Sequence, residues 1–223
     1  MELTMIDDLD LDGMFTDEEE HITNAADPIR DLDHIRAIKD LLREKPRELA
    51  LFLVGISTNL RGGDVVKITM KQAADALRKG QFVLTEQKTS KKRLVYMNAE
   101  SKLAVERLFR IRKADIEAKQ QLLNDAVKLK LDGERLFVGQ RGPMTRDTFN
   151  KLVQIWCKAV GVPGKISGHT LRKTYGFHQF HRNQVPLAAL MSDFNHSTMA
   201  MTLRYIGVSE AIAQKHRFEE LQW

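Results

Sequence analysis

Residues 49–56 form the longest stretch of this 223-residue chain without a polar side chain. That stretch is far too short to span a bilayer, which takes roughly 20 apolar residues. It follows Pro46, a residue suited to the first turn of a helix. A helix that is apolar all round has to be enclosed by other elements, so this segment demands a surrounding core. Neighbouring stretches have the helical spacing to supply one. Leu32, Ile35, Ile38, Leu41 and Leu42 recur along residues 31–42, after a helix start read at Asp27-Pro28, and Phe149, Leu152, Val153, Trp156 and Val160 follow a capping Thr145.

Between those stretches the pattern changes. Residues 65–69, 80–85 and 92–97 are short runs of β-branched or apolar residues, read as three strands with a basic turn at 88–93. Helical spacing returns over 99–110 and 111–131, the second stretch heavily charged and ended by Gly133. A brief extended piece at 136–138 precedes Gly142-Pro143. Three further helices are expected around 169–182, 186–191 and 199–205. The fold class expected is α+β, mainly α-helical, with a small antiparallel three-stranded sheet or hairpin on one edge.

Charge divides the chain. Residues 1–27 hold ten of the 30 carboxylates and none of the 35 lysines and arginines, which leaves about +15 on residues 28–223. The first part is expected to be a flexible acidic leader, with at most one short helix around 17–25. Nothing there reads as a secretory signal. The basic remainder favours polyanions, although charge alone moves the reading only modestly. A lone cysteine, Cys157, excludes an internal disulfide, suits a reducing cytoplasm and is expected to be a small core residue beside Trp156.

The chemistry-bearing residues gather in two places. Late in the chain come His169-Thr170-Leu171-Arg172, then His196, then Tyr205 nine residues further on. Earlier come Asn59-Leu60-Arg61-Gly62-Gly63-Asp64 and the basic run Lys88-Thr89-Ser90-Lys91-Lys92-Arg93. Arginine suits a phosphate because its planar fork donates two parallel hydrogen bonds and keeps its charge. Imidazoles can donate hydrogen bonds or move protons. A phenol becomes a nucleophile at neutral pH only when cations or a base favour its oxyanion. Taken singly, each of these residues is more often structural. His178 and His181 lack the cysteine or carboxylate partners of a metal site, so neither metal nor cofactor is expected.

In this order and at these separations, the set resembles the catalytic domain of tyrosine site-specific recombinases, the phage integrase family, over about residues 28–207. The resemblance implies DNA cleavage and rejoining through a covalent 3′-phosphotyrosine. Tyr205 would be the nucleophile, Arg61 and Arg172 the phosphate clamp, and His169 and His196 donors or proton carriers. A hairpin lysine would protonate the departing 5′ oxygen; Lys88 is the best match, with Lys91 and Lys92 as rivals. Asp64 would orient Arg61 by a buried ion pair, and Lys91, Lys92, Arg93 and Lys173 would contact DNA. The chain has Asp193-Phe194-Asn195-His196 where the family often has glycine before its histidine; asparagine still tolerates unusual backbone angles. The implied partner is double-stranded DNA, held by a homo-tetramer built from monomers in solution, with room for an accessory DNA-bending partner and no membrane. Residues 208–223 would form a tail that docks on a neighbouring protomer or on the chain's own core. Two other readings use the same chemistry or fold: a type IB topoisomerase-like relaxase and a DNA-binding regulator that does not cut.

Overall fold

The computed structural model describes residues 26–122 and 133–208. Residues 1–25 of the acidic leader, the end of the charged stretch and the tail beyond Val208 lie outside the described residues.

The apolar segment is a helix, α2 (Pro46–Ser57), preceded by α1 (Leu32–Leu42), whose first turn is capped by Asp31 accepting from the Asp33 amide. Ala50 to Gly55 are buried without interruption. The core that encloses them is drawn from almost every other element. Ile38 and Leu42 come from α1, and Met70, Ala73 and Ala76 from α4 (Met70–Lys79). Phe82 and Leu84 come from β1 (Gln81–Thr85), Val95 from β2 (Lys92–Tyr96), and Val105 and Leu108 from α5 (Ala99–Leu122). Phe149, Val153, Trp156 and Cys157 are supplied by α6 (Arg146–Ala159). The Phe52 and Trp156 rings meet edge to face at 6.0 Å, and the Trp156 indole N–H donates to Glu48 Oε2 at 3.0 Å.

The helix α7 (Thr170–His181) packs directly on α2. The approach is close at Gly55, where any added Cβ would lie 2.6 Å from Leu171 Cδ1. That contact sets the start of α7, and so His169 and Arg172, against the helix that leads to Arg61. Beyond α7, a smaller apolar cluster forms from Leu190 and Phe194 of α8 (Leu187–Phe194), Ile206 of α9 (Met199–Ile206), and Val208. It seats on α7 at Gly176, where a Cβ would meet Ile206 Cγ2 at 2.6 Å and Phe194 Cζ at 2.7 Å.

The sheet departs from expectation. The main sheet is a two-stranded antiparallel hairpin, β1 with β2, in register from Gln81 opposite Tyr96 to Thr85 opposite Lys92. The expected strand at 65–69 is absent. Val65 closes the short helix α3 (Gly62–Val65), and Thr69 makes one isolated bridge to Arg135. Thr69 instead caps α4 through a reciprocal box with Gln72. A hydroxyl that satisfies a helix's first amides competes with strand pairing, and this outweighs the β-branched composition. Helix α4 was not anticipated. A second hairpin, β3 (Val138–Gly139) with β4 (Gly142–Pro143), occupies the extended region before Thr145, which caps α6 as expected. The two expected helices at 99–110 and 111–131 are one continuous helix as far as Leu122. Asp27 does not begin a helix. Its amide donates to the Lys165 carbonyl and its carboxylate accepts the Lys165 amide, which binds the start of the described chain to the loop before α7.

Candidate active site

Arg61 lies on extended backbone between α2 and α3, just past the buried helix. Its Nη1 donates to Glu86 Oε2 at 3.0 Å. Glu86 directly follows β1 at the root of the turn to β2, and it is 8% exposed. The other carboxylate oxygen, Oε1, receives Arg93 Nη1 at 3.3 Å, and Thr89 Oγ1 donates to Oε2 at 2.8 Å. Burial by itself would raise the Glu86 pKa. The Thr89 hydroxyl and the Arg61 and Arg93 guanidinium groups outweigh it and hold the carboxyl below its ordinary value.

Asp64 does not form the ion pair expected with Arg61. It is 2% exposed, and its Oδ1 accepts the Gln87 amide at 3.0 Å. Asp64 therefore binds the β1–β2 turn, and Glu86 takes the place of Arg61's partner. The lysine-bearing turn is closed by the Glu86 amide to Lys91 carbonyl bond and the Ser90 amide to Glu86 carbonyl bond. Lys88 is exposed within it. Lys91 and Lys92 are also exposed, and Lys91 Nζ reaches Asn195 Oδ1 at 3.4 Å. Arg93, expected to face DNA, points inward to Glu86 and to the Asn59 carbonyl at 3.4 Å.

Arg172 occupies the first turn of α7 and is 4% exposed. Nη2 donates to the Phe194 carbonyl at 3.3 Å, and the guanidinium carbon lies 5.1 Å from the Phe194 ring centre. Its Nε and Nη1 are buried and have no hydrogen-bond partner. Burial pulls the Arg172 pKa down, Tyr205 opposes that, and Arg61 and Arg93 add to it. Donors left empty in so dry a place cost free energy unless a ligand fills them.

His169 stands at the N-terminal boundary of α7, open to solvent at its edge. Removal of water by the surrounding protein, then the charges of Arg172, Lys173, Arg61 and Arg146, lower its pKa. His196 follows Asn195, which ends α8 in the left-handed region (φ 57°). Its ring stacks on Phe194 at 5.2 Å between centres and meets the Tyr205 ring edge to face at 5.0 Å. Desolvation, then Arg172 and Arg61, push its pKa down to about 4. Nδ1 lies 3.1 Å from Thr202 Oγ1, whose hydroxyl donates to the Thr198 carbonyl. That arrangement assigns the imidazole N–H to Nδ1 and leaves Nε2 with the lone pair.

Tyr205 is on the last turn of α9, packed against Phe194 at 5.0 Å between ring centres. Burial raises its pKa, while Arg172 and Arg61 work against the rise. Lys173, expected on the DNA-facing surface, is 4% exposed, and its Nζ sits 5.2 Å from the centre of the Tyr205 ring. It is a buried neighbour of the phenol, because α7 turns this position toward the small cluster and away from solvent.

The structure thus gathers Arg61, His169, Arg172, His196 and Tyr205 into one electrostatic neighbourhood, with Lys88 on an adjoining exposed turn. Glu86, Asn59 and Thr202 were missed from sequence. Asn59 is fully buried and donates to the Asp193 carbonyl at 3.0 Å. An acidic residue before a basic run was the only signal for Glu86, and none marked Asn59. Among the described residues, no cluster of three or more His, Cys, Asp or Glu could hold a metal ion, and no helix is long and apolar enough to cross a membrane.

Comparison with known proteins agrees with this geometry. The sequence pattern of the phage integrase family matches residues 30–211. A probable integrase/recombinase, YoeC of Bacillus subtilis (strain 168), is 32% identical over 186 residues, which are 82% of this chain and 90% of that protein. The tyrosine recombinase XerC of Thermodesulfovibrio yellowstonii is 26% identical over 163 residues, and there the match takes in 73% of this chain and half of XerC. Among solved structures, the XerA recombinase shares the fold with a TM-score of 0.66 at 17% identity, over 89% of this chain and 66% of XerA. The Tn1549 transposon integrase, solved with circular intermediate DNA, gives 0.59 at 19% identity, over 86% and 67% of the two chains. With the family pattern matched across nearly all of the described residues, the chain belongs to the phage integrase family and carries the catalytic domain of a tyrosine recombinase, a DNA strand transferase.

Proposed function

We propose that the protein performs site-specific recombination with Tyr205 as nucleophile. The phenol oxygen attacks the scissile phosphorus and forms the phosphotyrosyl bond. The bond from phosphorus to the 5′ oxygen breaks, and that oxygen leaves with a proton from the hairpin lysine, Lys88. The proton of the phenol passes to an imidazole. His196 is the candidate because its ring lies 5.0 Å from that of Tyr205, and the imidazole is neutral at pH 7 with Nε2 available as acceptor. Arg61, Arg172 and His169 donate to the non-bridging oxygens. Rejoining runs the same steps in reverse from a 5′ hydroxyl, so the energy of the broken phosphodiester is retained in the phosphotyrosine and no nucleotide cofactor is called for.

The observation that carries this reading is Arg172. Its two buried, unpartnered nitrogens, Nε and Nη1, lie within the electrostatic reach of both Tyr205 and Arg61. Preorganised donors in a water-poor site are the largest single source of stabilisation for charge developing in a transition state. Each chain offers one such tyrosine, and exchange between two duplexes cuts four strands. The acting unit is accordingly a homo-tetramer on double-stranded DNA, in the compartment that holds the DNA.

The test is covalent trapping on nicked duplex from the DNA flanking the gene, without added metal. Wild type is expected to give a protease-sensitive band of reduced mobility on a denaturing gel. Tyr205→Phe is expected to bind the duplex and give none. Arg172→Met should cut the trapping rate by about 10²–10³-fold, the loss seen when one preorganised donor group is removed. A band that survives in Tyr205→Phe would remove Tyr205 from the role. Binding without any band in wild type would favour the non-cutting regulator.

A further inference from the structure

Glu86 joins parts of the site that have separate tasks. One carboxylate oxygen holds Nη1 of Arg61, and the other holds Nη1 of Arg93. Arg93 returns to the Asn59 carbonyl, two residues before Arg61. Glu86, Arg93 and the backbone at Asn59 therefore close a loop around the root of Arg61. Among the described residues, the hydrogen bonds of the Arg61 side chain use only Nη1, so Nε and Nη2 remain for a ligand. The oxygen that holds Arg61 also accepts from Thr89 Oγ1, and the Glu86 amide and carbonyl pair with Lys91 and Ser90. Every residue in those last contacts belongs to the turn that carries Lys88.

We propose that Glu86 is a positioning residue for strand cleavage, setting Arg61 and the Lys88-bearing turn as one unit. The proposal rests on the recombinase chemistry assigned above. Its physical basis is that phosphoryl transfer is governed by placement. A guanidinium held by one nitrogen keeps its remaining fork aimed, and a turn anchored at both the side chain and the backbone of its first residue loses little entropy when it closes on the leaving group. A carboxylate at 8% exposure, with two cations and a hydroxyl on it, is a costly arrangement to retain for stability alone.

The experiment compares wild type and Glu86→Gln in single-turnover cleavage of the nicked duplex that wild type traps. Two versions of that duplex are used, one normal and one with sulfur in place of the bridging 5′ oxygen. Thiolate leaves without needing a proton, so the second substrate bypasses the lysine. On the oxygen substrate, Glu86→Gln is expected to be slower by about 10²-fold, the scale of a small misplacement of reacting groups, with duplex affinity little changed. On the sulfur substrate, most of the loss is expected to return, and the remainder reports Arg61. An unchanged rate on oxygen overturns the proposal. So does a faster rate, which would make Glu86 a competitor of the phosphate for Arg61. A loss just as deep on sulfur overturns the part that concerns Lys88.

If Glu86→Gln melts well below wild type, Glu86→Asp replaces it, with the same recoverable loss expected. If wild type cleaves neither substrate, the recombinase assignment fails by itself, and amide hydrogen exchange over residues 87–91 decides the role of Glu86. Faster exchange in Glu86→Gln supports it, and unchanged exchange overturns it.

Discussion

The groups proposed for one reaction sit on two unequal foundations. Arg61, His169 and Arg172 stand at the edge of the large core around α2, where Phe52, Phe149 and Trp156 are almost completely enclosed. His196 and Tyr205 stand on the small cluster of Leu190, Phe194, Ile206 and Val208. Polar contacts from the rest of the site grasp three successive residues of that cluster's turn. Asn59 takes the Asp193 carbonyl, Arg172 takes the Phe194 carbonyl, and Lys91 takes the Asn195 side chain. The difference teaches that the groups proposed to hold the phosphate are anchored on a deep core, while the proposed nucleophile is anchored on a thin apolar layer and a few hydrogen bonds. Regions with few buried contacts open locally at lower free energy than the whole domain.

Four predictions would break or sharpen that contrast. Phe52→Ala is expected to cost about 3–5 kcal/mol of global stability, the usual penalty for an aromatic cavity in a tight core, read by denaturant unfolding. Gly176→Ala drives a methyl into Ile206 and Phe194 and is expected to cost about 1–3 kcal/mol. Its effect should concentrate in faster hydrogen exchange over residues 187–208, with the large core protected. If that substitution instead exposed both regions equally, the two foundations would be a single cooperative unit.

The third prediction concerns pH. The folded pKa of His196 is near 4, below its ordinary 6.5, and His169, His178 and His181 shift the same way. Between those values the unfolded chain binds more protons, so stability is complete above pH 6.5 and falls as pH drops toward 4. Melting temperatures across that window should show the decline, and His196→Gln should flatten part of it. A profile that did not change with His196→Gln would mean that the ring is as well solvated as in the unfolded chain.

The smallest effect is expected at Asn195. Its φ of 57° is a conformation that glycine adopts freely, so Asn195→Gly should change stability by no more than about 0.5 kcal/mol. It removes the Lys91 contact cleanly. Increased exchange in the 87–91 turn with an unchanged melting temperature would show that this side chain couples the hairpin to the cluster that carries Tyr205.

Much of this architecture was legible in the chain. The all-apolar helix, the cap at Thr145 and the buried stripe of α6 follow from local periodicity and side-chain hydrogen bonding, whereas the start of α1, read from sequence at Asp27-Pro28, lies at Asp31. The misreadings have local causes too. Residues 65–69 have strand composition, but Thr69 caps a helix, and the signal that marked it, a glutamine three residues on at Gln72, was outweighed by that composition. Lys173 was expected to contact DNA from the family resemblance, and only the packing of α9 on α7 shows that it lies buried beside the Tyr205 ring.

By itself, the sequence determined the fold class, the family and the residue types able to attack and hold a phosphodiester, because these depend on periodicity and on ordered spacings along the chain. Tertiary structure alone decided who partners whom. Glu86 displaced Asp64 as the companion of Arg61, Arg93 turned inward, and Arg172 was left with empty buried donors. Such pairings join residues far apart in sequence, and their strength depends on how much water the folded chain excludes. No local pattern in a sequence encodes that quantity.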